Sequence, residues 1–174
     1  MTETTLMEIK NRFTDEVIRV MDAETLAGQR LAGVGLEVAN LASVNLEGAS
    51  LEGANLAVAD LTGANLANAN LTGANLTGAN LDTTYLSYAF LTGANLTGAS
   101  LTEANLQGAN LTGANLTGAN LTGTDLSNAN LRGANLTRAC VDHVVLRGAV
   151  FDDATVFPAL FFDPEQKGAV RAVG

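Results

Sequence analysis

Tryptophan is absent, and cysteine and histidine occur once each, as Cys140 and His143. One cysteine excludes an internal disulfide and a CxxC pair, and it suits a reducing compartment. One histidine excludes a two-histidine metal site. Lysine and arginine are missing from residues 31 to 131, where seven acids stand: Glu37, Glu47, Glu52, Asp60, Asp82, Glu103 and Asp125. With a formal net charge of −9, this argues against nonspecific binding to nucleic acid or to anionic membranes. Long apolar runs are missing too. No stretch is long enough for a membrane helix, and MTETTLMEIKNRF carries acids but no signal-peptide core. A soluble, cytoplasmic protein is expected. Aromatics are scarce: between Phe13 and Phe151 the chain has only Tyr85, Tyr88 and Phe90, all within DTTYLSYAF at residues 82–90.

What is present is a period of five. Leucine occupies every fifth position from Leu26 to Leu136, 23 times, and Val141, Leu146, Phe151 and Val156 extend the phase to 27 repeats. Alanine usually stands two before each central residue, asparagine one before, threonine one after and glycine two after. A helix is excluded. At about 100° per residue, a five-residue step scatters the leucines around the axis. Each of the 15 glycines two after a centre would also cost about 1 kcal/mol in a helix interior. Extended chain fits if it turns corners. Ala54 and Leu56 share a face while Asn55 opposes them. The odd step from Leu56 to Ala59 demands a corner, and glycine supplies the conformational freedom there. The predicted fold class is an all-β solenoid with leucine and alanine inside and asparagine, threonine and glycine outside.

The units ANLTG, ANLQG and ADLTG over residues 26–156 resemble the pentapeptide-repeat family, A(D/N)LxG. That resemblance implies a right-handed quadrilateral β-helix with four repeats per coil, hence about seven coils. Asn55, Asn75, Asn95, Asn115 and Asn135 would then form one column, and Thr77, Thr97, Thr117 and Thr137 another. Arg132 and Asp152, 20 residues apart, would lie on neighbouring strands and pair.

The ends need caps. Leu6, Ile9, Phe13, Val17 and Val20 recur at helical spacing with acids between them, so an amphipathic capping α-helix is expected over residues 4–21. A membrane-surface helix is disfavoured, because its polar residues are not rich in lysine or arginine. At the other end the repeat breaks at Pro158, and Phe157, Phe161 and Phe162 are expected to fold over the last coil. A dimer through that end is the alternative to a monomer. The chain thus divides into a helical cap at 1–25, a β-helix at 26–156, and a C-terminal cap and tail at 157–174.

No phosphate loop, dinucleotide fingerprint or cofactor motif appears, and no catalytic constellation can be assigned. Cys140 and His143 read as variant outer residues. The chain is therefore read as a non-enzymatic protein-interaction scaffold without a cofactor, binding an unidentified protein partner and not nucleic acid. The resemblance implies that regulation through protein contacts is within reach of the fold. It also supplies an alternative, an acidic mimic of duplex DNA that modulates DNA gyrase. The candidate partner-binding residues are Tyr85, Tyr88, Phe90, Asp82 and Glu103. Tyr85 and Phe90 replace the outward asparagine and Tyr88 replaces the corner glycine, so all three rings are expected to face solvent beside the acidic side.

Overall fold

The computed structural model describes residues 6–22, 25–158 and 163–172. Each repeat makes one side and one corner of a square coil. At a corner such as Leu51–Ala54, the Ala54 N–H donates to the Leu51 carbonyl at 3.0 Å, and Gly53 adopts φ +61°. Positive φ at the third residue of a four-residue turn is the signature of a type II turn. Residue i bridges residue i+20 in parallel from Arg30 to Val150, as in Asn55↔Asn75 and Asn75↔Asn95. Four sides therefore close one coil. From Leu26 to Phe151, 26 repeats give six and a half coils. At a strand spacing of about 4.8 Å the rod is roughly 30 Å long.

The core is as the period predicts. Every central leucine from Leu26 to Leu136 is buried, as is nearly every alanine two before it. Thr84 and Thr124 fill two of these inner slots, and their hydroxyls donate to the turn carbonyls of Leu81 and Leu101. The asparagine and threonine columns form as expected. Each outward asparagine accepts the N–H two residues on, as in Thr97 N–H to Asn95 Oδ1 at 3.1 Å, and the Thr97 hydroxyl adds a second bond at 2.6 Å. This side-chain cap on the corner that follows each asparagine explains the near-monotony of asparagine outside.

The N-terminal cap is not a helix. Strand β1 (Leu6–Asn11) and strand β2 (Val17–Asp22) form an antiparallel hairpin, and β1 pairs antiparallel with β3 (Ala39–Asn40) on the first coil. The physical reason is the open edge of the solenoid. Its unpaired backbone groups are satisfied by a strand and not by a helix. Asn11 supports the hairpin turn by accepting from the Phe13 and Thr14 N–H groups. Among the residues that suggested a helix, Ile9 is buried, whereas Phe13, Val17 and Val20 are exposed. Arg12 latches the hairpin to the next coil through the Val58 carbonyl (3.1 Å) and Asp60 (3.9 Å).

A second correction falls at the other end. The bridge Asn130↔Val150 spans 20 residues, but Asn135↔Val156 spans 21. Asp152 is the inserted residue, and its carboxylate accepts the Gly133 N–H at 2.9 Å. The phase therefore slips by one. Val156 points out, 48% exposed, and Phe157 packs edge-on to Phe151 with centroids 5.3 Å apart. Arg132 does not reach Asp152 and donates to Asn130 instead. Strand β4 (Val150–Phe151) then pairs in parallel with β5 (Val170–Arg171), which adds a final rung. Phe161 and Phe162 lie outside the described residues. Among the described residues no helix is long and apolar enough to cross a membrane.

Candidate functional site

The outward positions sort into four sides by their bridges. Side one carries Ser50, Asn70, Phe90 and Asn110, and side two Asn55, Asn75 and Asn95. Side three carries Asp60, Asn80, Ser100 and Asn120, and side four Asn45, Asn65, Tyr85, Asn105 and Asp125.

Tyr85 thus stands on side four, Phe90 on side one, and Tyr88 at the corner between them. Leu86, Leu91 and Ala89 fill the inward slots and are buried. All three rings face out, with Tyr85 57%, Tyr88 59% and Phe90 51% exposed. Each departs from what its position asks for. Tyr85 and Phe90 have no side-chain oxygen placed as asparagine's is, so the N–H groups of Ser87 and Thr92 lack the corner bond that asparagine supplies elsewhere. Tyr88 adopts φ +58°, a left-handed conformation that disfavours a bulky side chain. It shares this strain with other corner residues, such as Val58 and Asn128.

The Tyr88 ring leans over Gly108 in the following coil. A Cβ added there would come within 2.6 Å of Tyr88 Cε1. Gly108, itself at φ +69°, is the seat of that ring.

Asp82 and Glu103 lie at the corner between sides three and four, across side four from Tyr88. Their roles differ. Ser100 interrupts the asparagine series on side three, and Asp82 takes over. It accepts from the Ser100 hydroxyl and from the Thr102 N–H, the latter at 2.9 Å. Glu103 is exposed at φ +56°, its stem lying against Gly123. Asp60 on side three is held below its usual carboxylate pKa. Burial pushes it up, but hydrogen bonds from the Thr62 hydroxyl and N–H, with Arg12 nearby, more than offset that push.

The sequence reading missed a shallow depression on side four. It has a volume of about 530 Å³ and runs from Ser43 and Gly63 across Asn45 and Asn65 to Glu47 and Ser87, with Tyr85 among its walls. The signal for it was the single large residue in an asparagine column, with Glu47 two coils back. Cys140 is exposed on side three, with the Thr122 hydroxyl at 3.4 Å and Asp142 at 3.5 Å. His143 occupies a corner and is exposed. Among the described residues no group of three or more His, Cys, Asp or Glu is placed to hold a metal ion.

The family model for pentapeptide repeats matches residues 39–78, 79–118 and 114–153. No functionally curated protein matches the chain. Among solved structures it is similar to the pentapeptide-repeat protein Rfr23 from the cyanobacterium Cyanothece 51142. Identity is 35%, with 75% of this chain and 88% of that one covered, and the TM-score is 0.52. It is also similar to HetL of the cyanobacterium Nostoc, a protein involved in regulating heterocyst differentiation. Here identity is 31%, coverage 72% and 70%, and TM-score 0.43. QnrB1, a plasmid-mediated fluoroquinolone resistance protein, shares 19% identity over 83% of this chain and 90% of that one, with TM-score 0.45. The five-residue period, the 20-residue coil it builds and the family model's match over residues 39–153 make the chain a member of the pentapeptide-repeat family.

Proposed function

We propose that the chain is a non-enzymatic, cytoplasmic interaction scaffold whose protein partner docks on Tyr85, Tyr88 and Phe90, with Glu103 at the margin. The observation that carries this reading is the triple departure from the repeat. Three half-exposed rings occupy slots where asparagine or glycine would serve the fold better, and they do so within six residues. Exposed, clustered aromatics are enriched at binding hot spots, and local breaches of a fold's own rules concentrate at functional positions. Asp82 serves the site as a structural anchor, since its carboxylate is already engaged. The test replaces Tyr85, Tyr88 and Phe90 with Asn, Gly and Asn and compares partner capture from lysate of the native host. Loss of captured partners supports the reading, and an unchanged set refutes it.

The alternative is a DNA mimic acting on gyrase. It is favoured by the seven acids with no base between residues 31 and 131. Five coils span roughly 24 Å, where duplex DNA would carry about 14 charges at one per 1.7 Å. Seven acids give half that density, and five of them, Glu37, Glu47, Asp60, Asp82 and Asp125, accept hydrogen bonds within the protein. A gyrase supercoiling assay with and without a quinolone separates the two readings. The scaffold reading expects no effect.

A further inference from the structure

The depression on side four says what kind of group the partner brings. Asn45 and Asn65 line it along the side, and Tyr85 stands where the next asparagine would. Glu47 lies on the far margin. One of its carboxylate oxygens accepts from Asn65 Nδ2 at 3.3 Å, and among the described residues the other receives no donor. Ser43, Gly63, Ala67 and Ser87 complete the lining. Among the described residues no lysine or arginine forms an ion pair with Glu47.

An anionic occupant would meet this carboxylate. An aliphatic one would cover the carboxylate without pairing its charge. A planar cation fits both ends: it stacks on an aromatic ring and donates to a carboxylate. Arginine combines these properties. Lysine offers a point charge and no planar face.

We infer that this depression is the seat for an arginine side chain of the protein partner, stacked on Tyr85 and hydrogen-bonded to Glu47. The inference rests on the docking patch proposed above and adds the chemistry of what docks there. It places the partner's anchor on side four, with Tyr88 and Phe90 gripping the adjoining corner and side.

The test titrates the full chain with acetylated, amidated tetra-arginine and, separately, with tetra-lysine at physiological salt, where long-range attraction to the acidic rod is screened. Tyr85 and Tyr88 are the only tyrosines and tryptophan is absent, so tyrosine fluorescence reads the patch directly. Backbone amide NMR shifts map the site. Tetra-arginine should perturb Asn45, Glu47, Asn65, Ala67 and Ser87 and bind more tightly than tetra-lysine. Glu47→Gln and Tyr85→Asn should each weaken it about two- to five-fold, the range expected of one exposed cation–π or ionic contact. Glu52→Gln, at another corner, should not weaken it. Equal affinity for the two peptides, shifts centred on Asp60, Asp125 or Asp142, absence of binding, or an indifferent Glu47→Gln would each overturn the seat. If the seat fails while Tyr88→Gly with Phe90→Asn still abolishes capture of the native partner, the docking patch stands without it. If peptide selectivity holds while the aromatic variants capture every partner, the docking patch fails instead.

Discussion

Leu76 sits at mid-rod, fully buried, in a column with Leu56 and Leu96 twenty residues to either side. Truncating it to alanine removes three carbons, worth about 2.4 kcal/mol at roughly 0.8 kcal/mol per methylene. The coils around it cannot close the gap easily. Leu56 N–H to Asn75 O and Leu76 N–H to Asn95 O, both 2.7 Å, fix their separation. With the cavity penalty added, Leu76→Ala should cost about 3–5 kcal/mol. Thr77→Ala, outside the same coil, loses the 2.7 Å bond to Asn75 and should cost only about 0.5–1 kcal/mol. Urea unfolding followed by far-UV circular dichroism and by tyrosine fluorescence measures both, and Tyr85 and Tyr88 report from just beyond the lesion. Successive coils contact only their neighbours, so damage at mid-rod also weakens the coupling between its halves. A loss below about 1 kcal/mol for Leu76→Ala would refute the close-packed leucine column.

The register slip makes a paired prediction. Val156→Ala should cost under about 1 kcal/mol and Phe157→Ala about 2–4, whereas an unbroken five-residue period would place Val156 in the core; chemical denaturation of both decides. Gly108→Ala should destabilise through φ +69° and through displacement of the Tyr88 ring. In a Tyr88→Gly background the second cost disappears, so a double-mutant cycle should show coupling of about 0.5–1 kcal/mol. Asp152 is held below the usual carboxylate range, first by the Gly133 N–H and then by bonds from Thr155 and Ala154. A depressed folded pKa stabilises above the unfolded value of about 3.9 and stops doing so as pH falls through the lower folded value. Asp152→Asn should therefore lower stability at neutral pH and flatten the acid limb of the stability–pH profile.

The core was legible because its rule is local. Leucine and alanine two apart must share a face, and the odd step to the next alanine forces a corner at every repeat. The hairpin was not. Leu6, Ile9, Phe13, Val17 and Val20 satisfy a helical spacing, but the deciding force is the unpaired edge at Asn40, invisible in a local window. The slip at Asp152 hid because Val156 and Phe157 are both apolar, and either can serve as a centre. Thr155 was the overlooked signal. Its hydroxyl bonds the Leu131 carbonyl at 2.9 Å, as Thr124 bonds Leu101, which marks it as the inner residue before a centre at Phe157. The outward aim of Tyr85, Tyr88 and Phe90 was readable, since Leu86, Ala89 and Leu91 already held the inner slots. The engagement of Asp82 and the depression between Glu47 and Tyr85 depend on contacts 18 to 38 residues apart, and these emerge only once the coil is closed.

Capture from host lysate with the parent and with the Tyr85→Asn, Tyr88→Gly, Phe90→Asn variant tests the central claim most directly. The variant restores the repeat at all three positions and keeps Leu86, Ala89 and Leu91, so it should fold. This is checked by a far-UV spectrum matching the parent's. Loss of the parent's specific partners from the folded variant is the predicted result. Recovery of every one of them would contradict the claim that the three rings are the docking site.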